Sequence, residues 1–112
     1  MKRMGMVTRI KPEKLDKYVR LHADPWPRVL QMIKECHIRN YSIYRSKLPD
    51  GHDYLFSYFE YTGENFEGDM AKIAAHEETQ RWWEECKPCL EPVEDLPPGE
   101  VWSPMESIFF QD

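Results

Sequence analysis

Tyr18 and His22 lie four residues apart, Trp26-Pro27 follows them, and Trp82 and Trp83 stand side by side behind Gln80-Arg81. Histidine is the side chain whose unperturbed pKa, about 6.5, lets it take and give a proton near neutrality. Tyrosine adds a hydroxyl and a flat apolar face. An indole covers the C–H face of a sugar ring while its N–H donates to a hydroxyl. These side-chain types together suit a pocket that grips a sugar and moves its protons.

Each residue also has a plainer reading. On a helix, Tyr18 and His22 are neighbours about 5.4 Å apart along the axis, close enough to touch one small molecule. From spacing alone, a histidine on an apolar stripe is more often a core residue satisfied by a hydrogen bond, and Tyr18 on that stripe is more often a packing residue. Adjacent tryptophans on a helix diverge by about 100°, so at least one is expected to line a cleft or an interface rather than the centre of the core. The alternative is that both close the core. Tyr41, in a strand, and Trp26 carry the same ambiguity. His37, His52 and His76 read as loop or surface residues. The sequence holds no glycine-rich phosphate loop, nucleophile elbow or metal-ligand spacing beyond Cys86-Lys87-Pro88-Cys89.

That C-x-x-C pair lacks the context of a redox site, where the first cysteine opens a helix after a strand and the dipole lowers its pKa. Here it follows Trp82-Trp83 at an expected helix end, so reduced thiols are the simpler reading. Three cysteines leave at least one without an internal partner, which does not suit a disulfide framework. The length of 112 residues fits a single domain, 1–112, with one core. A formal net charge of −5, with lysines and arginines scattered among acids, argues against nucleic acid or an anionic membrane as partner. The N-terminus lacks the apolar core of a signal peptide, and no stretch approaches the ~20 apolar residues of a membrane span. The expected setting is the cytoplasm.

Periodicity supplies the elements that must position these groups. Met4, Met6 and Ile10 share one parity while Arg3 and Arg9 take the other, so Arg3 to Ile10 reads as a half-buried strand. Pro12 suits a first helical turn, and Leu15, Tyr18, Val19 and His22 then form an inward stripe. Asp24-Pro25-Trp26-Pro27 interrupts that helix. Pro27 opens a second one through Val29, Leu30 and Ile33, ending near Cys36-His37. Tyr41 to Tyr44 and Tyr54 to Tyr61 have strand composition and flank the turn Pro49-Asp50-Gly51, giving a hairpin. Phe66, Met70, Ile73 and Ala74 mark a further helix. Another runs from about Glu77 through Cys86 until Pro88 ends it. The acidic, proline-rich stretch Glu91 to Glu100 reads as a connector, and Met105 to Phe110 as a final strand.

Strand, helices, strand, strand, helices, strand is the order of the split βαβ, ferredoxin-like α+β motif. Its antiparallel sheet carries helices on one face only. The aromatic content of the strands makes burial of the other face against a second copy the expectation, that is, a homodimeric α+β barrel.

Four segments then carry a resemblance over nearly the whole chain: Tyr18-Val19-Arg20-Leu21-His22, Trp26-Pro27, Asn40-Tyr41-Ser42-Ile43-Tyr44 and Gln80-Arg81-Trp82-Trp83. In order and spacing they resemble the signatures of the L-rhamnose mutarotase family. The resemblance implies a dimeric ferredoxin-like fold and interconversion of the α and β anomers of L-rhamnose, without a metal or organic cofactor. It implies that His22 is the proton donor and that Tyr18, Tyr41, Trp82 and Trp83 bind the sugar. The competing class is a dimeric α+β barrel that uses the same cleft, catalytically or not, for haem or another aromatic ligand; a purely structural dimer is a third.

Overall fold

The computed structural model describes all of residues 1–112. Strand β1, Lys2–Ile10, runs the length of the sheet's centre, and a 3-10 turn at Pro12–Lys14 leads into α1, Leu15–Ala23. After the break at Asp24–Trp26 comes α2, Pro27–Glu35; the hairpin strands β2, Ile38–Lys47, and β3, Asp53–Tyr61, follow. Helices α3, Phe66–Ala75, and α4, Glu77–Cys86, complete the second helical layer. A 3-10 turn at Lys87–Cys89 delivers the chain to two short strands, β4 at Leu90–Glu91 and β5 at Ser103–Pro104.

The sheet order is β2-β3-β1-β4, with β5 also on β1 and every pairing antiparallel. β3 takes one edge of β1 from Lys2↔Tyr61 to Arg9↔Tyr54. The other edge is shared. β4 holds it at Ile10↔Leu90 and Arg9↔Glu91, and β5 at Met6↔Pro104 and Val7↔Ser103. The two short strands therefore act as one interrupted fourth strand, which gives the ferredoxin-like topology expected from the element order.

Alternation explains which face is buried. Asp53, Leu55, Ser57 and Tyr61 of β3 are buried and their neighbours are not. Ile10, Tyr18, Val29, Leu55, Trp82 and Leu90 form the larger apolar cluster between helices and sheet, joined by Cys86 and Cys89. A second cluster gathers Cys36, Ile38, Tyr61 and Ile73. Beside it, Asp69 is 7% exposed and accepts from the Tyr61 hydroxyl at 2.5 Å, with His37 Nδ1 at 3.2 Å.

His76, the boundary of α3 and α4, is a cap. Its Nδ1 accepts from the Thr79 backbone amide at 3.3 Å and lies 2.8 Å from the Thr79 hydroxyl. The break it makes sets the direction of α4, and so of Trp82 and Cys86.

Four expectations need correction. Met105 to Phe110 is not a strand. Its first amide still bonds the Gly5 carbonyl at 2.8 Å, but β5 ends at Pro104 and the chain then leaves the β1 edge, so Ile108 and Phe109 stand 89% and 79% exposed. The connector is not all connector, since Glu91 pairs with Arg9. The inward stripe of α1 is shifted: Val19 is 55% exposed, while Leu21 packs against the core. β2 is also longer than Tyr41 to Tyr44, because the hairpin pairing carries polar residues with it to Lys47. No helix is long and apolar enough to cross a membrane.

Candidate functional site

Helix α1 presents Tyr18 and His22 to the sheet from successive turns. The Tyr18 ring stacks on the His22 imidazole with centroids 4.2 Å apart, and His22 meets the Trp82 indole edge-on at 5.2 Å. Trp26, set by the break between α1 and α2, packs against the far side of Trp82 at 5.3 Å. Four aromatic rings thus run in contact from α1 to α4.

His22 Nδ1 lies 2.8 Å from the Tyr18 carbonyl. A carbonyl only accepts, so Nδ1 carries the hydrogen and donates it, and the neutral ring keeps its lone pair on Nε2. Burial lowers the His22 pKa below its ordinary value, and the bond to the Tyr18 carbonyl opposes that shift without cancelling it. His22 is therefore neutral at pH 7 with one defined basic nitrogen. Burial pushes the Tyr18 hydroxyl the other way, far above the usual phenol, so it stays protonated as a donor.

Tyr41 reaches the site through an irregularity in β2. The register between β2 and β3 shifts between Arg39 and Ser42, and Asn40 sits at φ 52. A bulge of this kind re-aims one side chain out of the strand's alternation. Tyr41 remains 45% exposed and touches Phe59 at 5.5 Å between centroids.

Trp82 and Trp83 divide as adjacent helical residues must. Trp82 is 8% exposed and belongs to the core, whereas Trp83 is only half-buried, with the Lys87 ammonium 4.7 Å from its ring centroid. All five residues singled out in the sequence, Tyr18, His22, Tyr41, Trp82 and Trp83, line one cavity of about 280 Å³. An adjoining apolar cavity of about 320 Å³ shares His22, Tyr41, Trp82 and Trp83 with it.

Three further wall residues fall in stretches that the sequence marks as loop or helix end: Lys87, Glu100 and Trp102. Trp102 alone carried a signal, as an indole following a proline-rich stretch. The two cysteines of the C-x-x-C pair are buried, 6% and 0% exposed. Burial, reinforced by Cys89 and Glu85, pushes the Cys86 thiol up to about 12, so it is no thiolate at neutral pH. No group of three or more His, Cys, Asp or Glu side chains is arranged to hold a metal ion.

In chemical terms the cavity offers a neutral imidazole with a fixed tautomer, two phenols and three indoles in a largely apolar wall. That set has the chemistry to bind a ring with one apolar face and several hydroxyls and to move a proton at one of them.

Comparison with known proteins bears on which ring. A family model described as L-rhamnose mutarotase matches residues 3–111. An L-rhamnose mutarotase of Oceanobacillus iheyensis is 30% identical to this chain over 112 residues, with 100% of each covered. The crystal structure of an L-rhamnose mutarotase from Formosa agariphila superposes with a TM-score of 0.75 at 19% identity, covering 100% of both chains. The tetracenomycin F2 cyclase of Streptomyces glaucescens, a type-II polyketide cyclase, superposes at 0.68 with 18% identity, over 100% of this chain and 98% of its own. These two structural likenesses are likenesses of fold.

Proposed function

This chain belongs to the L-rhamnose mutarotase family, and we propose that it interconverts the α and β anomers of L-rhamnopyranose in the cavity around His22. Opening a pyranose removes a proton from the anomeric hydroxyl and delivers one to the ring oxygen; the aldehyde then turns about C1–C2 and recloses on its other face. His22 is the proton-transfer group. In opening, its neutral resting form accepts the anomeric proton at Nε2 and, as imidazolium, delivers it from the same nitrogen to the ring oxygen, which leaves the sugar and the imidazole neutral. Closure runs the same two transfers in reverse, from the C5 hydroxyl to the carbonyl oxygen, so the same residue serves as base and donor in each direction.

Tyr18, Tyr41, Trp82 and Trp83 hold the sugar. The indoles and strand aromatics face the ring and its 6-deoxy methyl, and the two phenols supply hydroxyls to its polar edge. The reaction is proton transfer alone and calls for no metal or organic cofactor. The observation that carries this reading is the pinned tautomer of His22: a buried, neutral imidazole with one free nitrogen beside a monosaccharide-sized space. It is tested by following exchange between the two anomeric protons of L-rhamnose and of L-mannose, which differs by a hydroxyl at C6. An apolar wall predicts faster catalysed exchange for L-rhamnose; equal rates, or none above buffer, would count against it.

The open face of the sheet supports a homodimer. Tyr44 of β2 is 68% exposed, and opposite it Phe56 of β3 lies against Tyr54 with ring centroids 6.3 Å apart. At the β1 side Phe110 rests its ring 3.2 Å from the Arg3 guanidinium. Two such faces bury one another back to back, so Phe56→Glu should convert a dimer to a monomer in sedimentation analysis. A wild-type monomer would refute this. Three buried, unbridged thiols suit a cytoplasmic setting.

A further inference from the structure

Glu100, Val101 and Trp102 reach the cavity from a stretch that lies outside helix and strand, and contacts far apart in sequence hold it there. Thr8 is fully buried, and its hydroxyl faces the carbonyl of Val101 at 2.5 Å and that of Glu91 at 3.2 Å, clasping both ends of the connector. Lys87 donates to the Gly99 carbonyl at 2.9 Å while lying over Trp83. Gly99 sits at φ 86, the left-handed turn that lets the Glu100 amide bond the Pro97 carbonyl at 3.1 Å. β5 begins directly after Trp102.

Of the thirteen lining residues, Lys87 and Glu100 are the two with a full charge at neutral pH. The Lys87 ammonium is spent on the Gly99 carbonyl and the Trp83 face. Glu100 is an exposed residue at the rim of the cavity, and its carboxylate takes part in none of the chain's ion pairs. A carboxylate accepts through two oxygens and donates nothing, so its natural partners in a neutral ligand are hydroxyls, and bonds to it are stronger than neutral ones.

We propose, resting on the mutarotase reading, that Glu100 is the residue that selects the sugar: its carboxylate accepts hydrogen bonds from ring hydroxyls away from the anomeric centre, with Trp102 as the adjoining apolar wall. Lys87 and Thr8 are positioning residues that keep the carboxylate over the cavity. The ligand class is a neutral pyranose with free hydroxyls on the edge that Glu100 meets.

The test compares KM and kcat for anomer exchange with L-rhamnose and its 2-, 3- and 4-deoxy analogues, in wild type, Glu100→Gln and Glu100→Asp. Wild type should lose about tenfold in KM on at least one deoxy analogue, the scale of one hydrogen bond to a charged group. Glu100→Gln should raise KM for L-rhamnose by a similar factor, leave kcat within about threefold and show no gap for that analogue, with Glu100→Asp in between. Glu94→Gln removes the same charge from the exposed connector and should match wild type. Identical deoxy gaps in wild type and Glu100→Gln would overturn the proposal, as would an equal KM effect in Glu94→Gln. If wild type exchanged no anomers, the mutarotase reading would fall by itself. Tryptophan-fluorescence titration with the same four sugars would then decide whether Glu100 reads a hydroxyl: the same gap pattern would uphold it, and its absence would overturn it.

Discussion

Replacing His22 by alanine removes a proton-transfer group and two ring contacts at once, and the two losses differ enough in size to be separated. The contacts are the stack on Tyr18 and the edge contact with Trp82. At roughly 0.5–1.5 kcal/mol each, they place the stability cost near 1–3 kcal/mol. General acid–base help is worth about 10²–10⁴ in rate. A domain of ordinary stability, about 5–15 kcal/mol, remains almost wholly folded after the first loss, so a fall in exchange beyond a hundredfold reports chemistry and not unfolding. His22→Phe sharpens the comparison, because it keeps aromatic packing and abolishes proton transfer. Saturation transfer between the anomeric protons of L-rhamnose gives the rate, and urea midpoints give the stability. His52→Ala, in the exposed hairpin turn, should be silent in both. If folded His22→Phe kept exchange within about tenfold of wild type, the acid–base role would be wrong.

Trp82→Ala should cost about 3–5 kcal/mol as a core truncation, whereas half-buried Trp83→Ala should cost less stability and about tenfold in sugar affinity; equal urea midpoints for the two would contradict this division. Cys86→Ser with Cys89→Ser should keep kcat while lowering stability, because both thiols are packed in the core and Cys86 is protonated at neutral pH; loss of activity in a folded double variant would overturn that. The Tyr61 hydroxyl, opposed by burial and aided by His37, holds the Asp69 carboxyl below its ordinary 3.8. That stabilisation is present above the unfolded value and lost as pH falls through the lower folded one. Tyr61→Phe should therefore lower stability at neutral pH and move acid unfolding to higher pH, as followed by circular dichroism; an unchanged acid midpoint would refute it.

What the sequence disclosed, and what it hid, follows from the range of the interactions. The parity of β1 and the helical spacing of Tyr18 and His22 are local, and they led to the right elements and the right side of α1. The divergence of Trp82 and Trp83 is local too, and it anticipated one core indole and one at the cleft. Val19 misled because an aliphatic residue at stripe spacing says nothing about which side of the stripe the sheet covers. The tail from Met105 has strand composition, yet whether it pairs depends on the path the chain takes after β5, and past the Met105 amide it leaves the β1 edge. Glu100 and Trp102 were hidden for the same reason. Their place is fixed by Thr8, 93 residues from Val101 in sequence, and by Lys87 reaching back to Gly99. A bond of that kind has no periodicity and leaves only loop composition behind.

The central claim is that a neutral His22 moves the protons of L-rhamnose, and the pH profile of anomer exchange tests it most directly. Burial holds the folded pKa of His22 below 6.5, so the catalysed rate should be level through neutrality and fall as pH drops through a midpoint below that value, when Nε2 becomes protonated in the resting enzyme. The acid limb should vanish in His22→Phe. A catalysed rate that rises toward acid through the same range, or that exceeds the buffer rate at no pH, would contradict the account.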